Sequence, residues 1–193
     1  MARTRAFAPD EALEKAMQVF WAKGYGETSI DDLVEATGVS RYGLYSIWRD
    51  KRGLFLAVLD RYRDCQVGMM LAQLEMPTAA RAEVEDLFNT FARGARSEGA
   101  WKGCLFANTA AEFGTDDKDV AARVTKHYRR LERNFKKALE RAKRLGEVRD
   151  DFDADAAAIM LAGLTQGLML MLRAGEPAKK IETFAKGALA ILR

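Results

Sequence analysis

Residues 24–55 read GYGETSIDDLVEATGVSRYGLYSIWRDKRGLF, and the spacing of caps, glycines and apolar residues in this stretch decides the fold. Thr28 and Ser29 each have an aspartate three residues on, Asp31 and Asp32, so either hydroxyl can cap a helix with an acid at N3. Ile30, Leu33 and Val34 supply the apolar face of that helix, and Gly38 ends it. Val39 is an apolar turn residue. Ser40 then caps a second short helix that runs to about Trp48. Leu44 and Ile47 turn to the core, and Arg41, Tyr42, Tyr45 and Ser46 turn outward. Asp50 opens a further helix with Leu54, Phe55, Val58, Leu59 and Tyr62 at helical spacing, extending to about Leu74.

Working outward, the pattern stays helical, with no sustained period of two. Pro9, Asp10 and Glu11 open a first helix that Gly24 stops after Lys23, with Leu13, Ala16, Met17 and Phe20 on one face. After Pro77 a fifth helix is predicted from Thr78 to Arg96. A sixth covers Trp101 to Phe113, and a long seventh runs from the Asp116–Asp117 pair to Leu145. The eighth spans Ala154 to Arg173, and the ninth carries Ile181, Phe184, Ala188, Leu189 and Leu192. The expected class is all-α, with about nine helices.

Composition agrees. Half of the 193 residues are apolar, enough for a buried core, and only three are proline, which leaves long helices uninterrupted. The formal charge of +3 mildly favours acidic partners and does not by itself establish nucleic-acid binding. Two cysteines, Cys65 and Cys104, make neither a disulfide framework nor a zinc set, so no metal or cofactor is expected. No secretory signal is visible at Met1–Phe7. The apolar run Ala156–Leu172 is at the short edge of what spans a bilayer and contains Thr165 and Gln166, so it reads as a buried helix. No membrane partner is expected, and the expected compartment is the cytoplasm. One histidine, His127, with no paired nucleophile or carboxylate supports no catalytic site.

Two short helices joined by a glycine turn and packed by a preceding helix form a helix-turn-helix pattern. In that geometry one helix offers its N-terminal residues to base edges while the other crosses the backbone. Between Gly38 and Leu54 four bases, Arg41, Arg49, Lys51 and Arg52, face one acid, Asp50. Yet Met1–Gly53 as a whole has eight bases and eight acids, and any three-helix core has glycine turns, so pattern and charge alone leave DNA binding open.

The motif Gly24-Tyr25 … Thr28-Ser29-Ile30-Asp31-Asp32-Leu33 … Gly38-Val39-Ser40-Arg41-Tyr42-Gly43-Leu44-Tyr45 … Lys51 … Leu54-Phe55 resembles the N-terminal domain of the TetR/AcrR family over about fifty residues. The resemblance implies a dimeric, all-helical transcription regulator of double-stranded DNA, in many members a repressor released by a small molecule. It implies that Thr28 and Ser29 hold a phosphate, a role that also suits a helix N-terminus. It further implies that Tyr45 and Lys51 contact the DNA backbone and that Arg41, Tyr42 and Ser46 lie nearest the bases. With Ser40 and Gly43 at the start of the same helix, these residues make up the expected DNA-binding set. Trp48 stands where phenylalanine is common in the family and is expected to pack beneath the reading helix. Arg3 and Arg5 can serve as a minor-groove arm or fray as a tail.

The expected division is 1–55 for the helix-turn-helix domain and 56–193 for effector binding and dimerisation, with the fourth helix as the lever between them. Trp101, Cys104, Asn108 and Glu112 recur at roughly helical spacing, and with Tyr128, Phe135 and His127 they form the candidate effector lining. Ordinary core packing is the competing reading for each. Cys104 can be a buried hydrophobe or, as in some relatives, a redox or electrophile sensor, which requires a cation beside the thiolate. The run Arg123–Arg149 has eleven bases and three acids, which reads as the solvated face of a long helix. The eighth helix is apolar nearly all round, so it and the ninth are expected to form a four-helix bundle with a second copy. Such a dimer would set two reading helices about one DNA turn apart, roughly 34 Å.

Overall fold

A computed structural model describes residues 7–96 and 102–193. The described residues form helices and turns without a strand. In order these are α1 (Pro9–Lys23), α2 (Ile30–Thr37), α3 (Arg41–Trp48), α4 (Lys51–Tyr62), α5 (Gly68–Leu71), α6 (Arg81–Gly94), α7 (Leu105–Phe113), α8 (Lys118–Arg144), α9 (Ala154–Arg173) and α10 (Ala178–Leu189). A π-helical segment, Arg63–Val67, joins α4 to α5, and a 3₁₀ turn, Ala190–Leu192, follows α10.

Local chemistry explains most of the boundaries. Of the two candidate caps of α2, Ser29 is the one used: its hydroxyl accepts the Asp32 N–H, and the Asp32 carboxylate accepts the Ser29 N–H. Gly38, left-handed at φ 71°, ends that helix. Ser40, Asp50 and Asp153 cap α3, α4 and α9 through their side chains. Asp117 accepts the N–H groups of Asp119 and Val120 at the start of α8.

Three expectations are corrected. The fourth helix does not run unbroken to Leu74: it widens into the π segment and ends at Leu71. The fifth begins at Arg81 rather than Thr78, because Glu83 reaches back to accept the Ala80 N–H and fixes the start there. The sixth begins at Leu105 within the described residues, just after Gly103 in a positive-φ conformation.

The chain divides into two compact units. One comprises residues up to Val67 together with Asn108–Val124, and the other comprises Gly68–Ala107 together with Thr125–Arg193. The first is built on α1–α4 around Met17, Phe20, Leu33, Leu44, Leu54, Phe55, Val58 and Leu59, all essentially excluded from solvent. An aromatic cluster joins Phe20, Tyr25 and Phe113 about Phe55, with centroid separations of 5.0, 5.0 and 5.6 Å from the Phe55 ring. The second unit is built on α6, α8, α9 and α10 about Phe88, Leu131, Phe135, Leu139, Leu161, Leu168 and Leu192. In it Arg130 grips Glu75 through two nitrogens, at 2.6 and 2.8 Å, and Asn134 donates to the same carboxylate.

Among the described residues α9 is the one helix long and apolar enough to cross a membrane. It buries Ala157, Ala158, Leu161, Thr165, Leu168, Met169 and Leu172 within its own unit. Its other face leaves Ile159, Met160 and Leu170 more than half exposed.

Candidate nucleic-acid interface

Helix α3 has a single fully buried residue, Leu44; Gly43, Tyr45, Ile47 and Trp48 are partly buried, so Ile47 is less enclosed than its spacing predicts. Arg41, Tyr42 and Ser46 are exposed, Tyr42 to 83 %. A tyrosine ring so exposed has the character of a contact residue rather than a core residue. The Arg41 guanidinium lies 5.5 Å from the Tyr45 ring centre, close enough for the ring to orient it. The Ser46 hydroxyl donates to the Gly43 carbonyl at 2.7 Å and keeps acceptor capacity outward. Ser40 accepts the Gly43 N–H. Gly43 itself is packed: a Cβ there would come 2.7 Å from Cγ1 of Val39, so its place in the set is to let α3 sit close. Trp48 is only partly buried.

Two residues expected on phosphates behave differently from the expectation. Thr28 is fully buried, and its hydroxyl donates to the Gly24 carbonyl at 2.5 Å. Its side chain fixes the turn into α2 and presents nothing to a phosphate. Ser29 is exposed, but the α2 N-terminus already holds the Asp32 carboxylate, which Lys23 at 2.7 Å and the Ser29 groups keep down at about 2. Lys51 sits with its ammonium 4.3 Å over the Tyr25 ring. Arg52, counted in the local basic excess, is taken by acids: it pairs with Asp117 at 2.6 and 2.8 Å and with Asp119 at 2.7 Å. Arg3 and Arg5 lie outside the described residues.

Residues 12–58 match the family described as bacterial regulatory proteins, tetR family, and residues 80–188 match the tetracyclin repressor-like C-terminal domain. The chain belongs to the TetR family. It is 33 % identical over 190 residues to the HTH-type transcriptional repressor ComR of Escherichia coli K12, covering 98 % of this chain and 90 % of that one. It is 30 % identical to the HTH-type transcriptional regulator YezE of Bacillus subtilis 168, covering 82 % and 81 %. Among solved structures, the TetR-family regulator CifR, a cysteine mutant bound to 26-bp double-stranded operator DNA, superposes with a TM-score of 0.87 at 26 % identity over the full length of both chains.

The residues expected from their spacing to line an effector site fall in different places. Trp101 lies outside the described residues. Cys104, His127, Tyr128 and Phe135 fall in the second unit, whereas Asn108 and Glu112 fall in the first. The exposed Glu112 carboxylate accepts the backbone N–H groups of Tyr25, at 2.9 Å, and of Gly26. Phe135 is fully buried against Phe88 and serves the core. His127, buried in its unit, stacks on Phe106 at 4.5 Å, lies 5.4 Å from the Tyr128 ring, and has Nε2 3.8 Å from Sγ of Cys104. Among the described residues its Nδ1 has no hydrogen-bond partner.

Burial, helped by the charge of Arg130, holds the His127 pKa down at about 4. The imidazole is therefore neutral at pH 7 and brings no positive charge to the Cys104 sulfur. The same shift sets a pH dependence. Between pH 6.5 and 4 the unfolded chain binds a proton that the folded chain refuses, so stability falls as pH drops through this window and then levels. The loss from this group is about 3 kcal/mol. Urea unfolding at pH 7.0 and 4.5 should show it, and His127→Phe should flatten the difference. Asp32 and Asp117, both held at about 2, act only at lower pH. Equal pH dependence in the variant would mean that His127 is not the group responsible.

Proposed function

We propose that this TetR-family regulator is a transcriptional repressor that binds a pseudo-palindromic operator as a homodimer and leaves it when a small molecule occupies the second unit. The carrying observation is the surface of α3, where Arg41, Tyr42 and Ser46 stand exposed on a helix anchored by one buried leucine. A short helix of that kind fits the DNA major groove, where arginine offers a two-pronged donor to guanine. The name of ComR as a repressor and the operator complex of CifR support the same reading. Residues 1–55 carry the DNA contact in this account, and 56–193 carry dimerisation and effector binding.

Dimerisation is assigned to α9 and α10. A second copy is the occupant that suits the apolar face left open by Ile159, Met160 and Leu170 on α9; an open groove of about 550 Å³ beside it, between α9 and α10, is lined by Met171, Pro177, Lys179, Lys180, Thr183 and Phe184. The effector acts through the equilibrium between DNA-competent and DNA-incompetent states, and only by its difference in affinity for the two. Cys104, His127 and Tyr128 are the residues of the expected lining that the second unit brings together.

The test separates base reading from backbone contact. Arg41→Ala should cost about 1–3 kcal/mol, concentrated at one base position of each half-site. Lys51→Ala should weaken all sequences alike and flatten the dependence of log K on log salt by about one unit per subunit. Fluorescence anisotropy on an operator and its single-base variants reads both. A uniform loss from Arg41→Ala would remove that residue from base reading.

A further inference from the structure

The contact that Glu112 makes is unusual in reach and in target. One carboxylate accepts two consecutive backbone N–H groups, those of Tyr25 and Gly26, from residues 87 and 86 positions upstream. Charge-assisted bonds of this kind are stronger than neutral ones. The turn is shaped to admit the carboxylate. A Cβ on Gly24 or on Gly26 would stand 3.0 Å from a Glu112 oxygen, and Gly24 has φ +86°. The next residue along α7, Phe113, tightens the grip: its ring lies 5.1 Å from Tyr25 and 5.6 Å from Phe55.

What this turn carries makes the contact functional. The Tyr25 ring, pinned from one side by Phe55 and Phe113, is the surface on which the Lys51 ammonium rests, 4.3 Å from the ring centre. A lysine on a flexible four-carbon stem loses rotamer freedom on meeting a phosphate, and an aromatic face beneath it reduces that loss in advance. The same turn leads through buried Thr28 directly into Ser29, the cap of α2.

We infer that Glu112 is a positioning residue for DNA binding: its carboxylate, by fixing the Tyr25–Gly26 turn, sets the place of Lys51 on the DNA backbone. The assignment rests on the regulator reading above. It concerns a residue within the stretch matched to the C-terminal family domain.

The experiment compares full-length wild type, Glu112→Gln, Glu112→Ala, Lys51→Ala and the double variant Glu112→Ala/Lys51→Ala. Each is measured for affinity to an inverted-repeat duplex enriched by the wild type, from 50 to 200 mM salt. Circular dichroism at the assay temperature reports the folded fraction. Glu112→Ala should bind about tenfold more weakly while remaining folded. Its salt slope should fall by about 2 for a dimer, as in Lys51→Ala. Glu112→Gln, keeping one acceptor oxygen, should fall between Glu112→Ala and wild type. The double variant should show no further loss of slope beyond Lys51→Ala alone.

Charge by itself predicts the opposite sign, since removing an acid near DNA tightens binding. Unchanged or tighter binding by the Glu112 variants would therefore overturn the inference. So would weaker binding with a wild-type salt slope, which marks a purely structural contact. A wild type that binds no duplex in a salt-dependent way would contradict the regulator reading and the inference together, whereas binding by the wild type with any of the other contrary results overturns the inference alone.

Discussion

Replacing Ile159 and Leu170 together by aspartate is expected to leave a folded monomer that no longer holds an operator. The two side chains are 59 % and 64 % exposed on α9, with Met160 at 54 % on the same helix, although leucine and isoleucine are among the residues most often buried. Gly163 between them has nothing within 4 Å of where a Cβ would stand, so another helix can approach closely there. In a two-fold dimer each substitution enters the seam twice. Burying one such side chain contributes about 1.5–3 kcal/mol, so four of them provide several kcal/mol of association. Four carboxylates in their place would be desolvated without partners, which adds a penalty of the same sign. Loss of the second subunit then removes the avidity of two half-sites, about 10²–10⁴ in affinity. Sedimentation equilibrium reads the mass, and circular dichroism should be unchanged because both residues are exposed in the protomer. A double variant that remains dimeric would place the subunit contact elsewhere.

The second large effect is expected at Gly53. A Cβ on this residue would stand 2.0 Å from the Trp48 carbonyl oxygen and 3.1 Å from its carbon. That oxygen cannot simply swing away: it accepts the Asp50 N–H at 2.8 Å, within a turn where Arg49 already adopts φ 70°. A non-glycine residue with positive φ is uncommon, so the turn has little conformational room left. Gly53→Ala must open the α3–α4 connection or unwind the first turn of α4, where Asp50 caps the Gly53 N–H at 2.7 Å. The expected cost is about 3 kcal/mol, and it falls on the helix that presents Arg41, Tyr42 and Ser46. Thermal unfolding should show a lowered transition, and operator binding should be lost even where the protein remains folded. Wild-type stability and affinity in Gly53→Ala would mean that the α3–α4 turn is more plastic than its geometry indicates.

How much of this was legible in the sequence depended on the range of each interaction. Ser29, Ser40, Asp50 and Asp153 act on backbone groups two or three residues away, and their helices begin where the caps stand. The apolar periods of α2 and α3 likewise place Leu33 and Leu44 in the core as expected. The π segment at Arg63–Val67 has no such local sign, because the apolar spacing of Val58, Leu59 and Tyr62 runs straight into it. The contact of Glu112 has no local sign for a related reason. Its spacing from Cys104 and Asn108 suggested one helical stripe facing a ligand, whereas its partners are amides 86 and 87 residues away. The only trace of them in the sequence is the pair of glycines flanking Tyr25, which leave room for a carboxylate. Arg52 looked like part of a basic surface until Asp117 and Asp119 proved to occupy it. Of the expected DNA set, Thr28 was the casualty of burial, since a short motif cannot say which of two adjacent hydroxyls faces inward.

The central claim is that two copies of α3 read an inverted repeat. The most direct measurement is selection of bound duplexes from a random pool by the wild-type protein at near-physiological salt. The account predicts enrichment of a pseudo-palindrome in which Arg41→Ala relaxes the preference at one base position of each half-site. Enrichment of a single unrepeated site, or of no sequence by a folded dimeric protein, would contradict it.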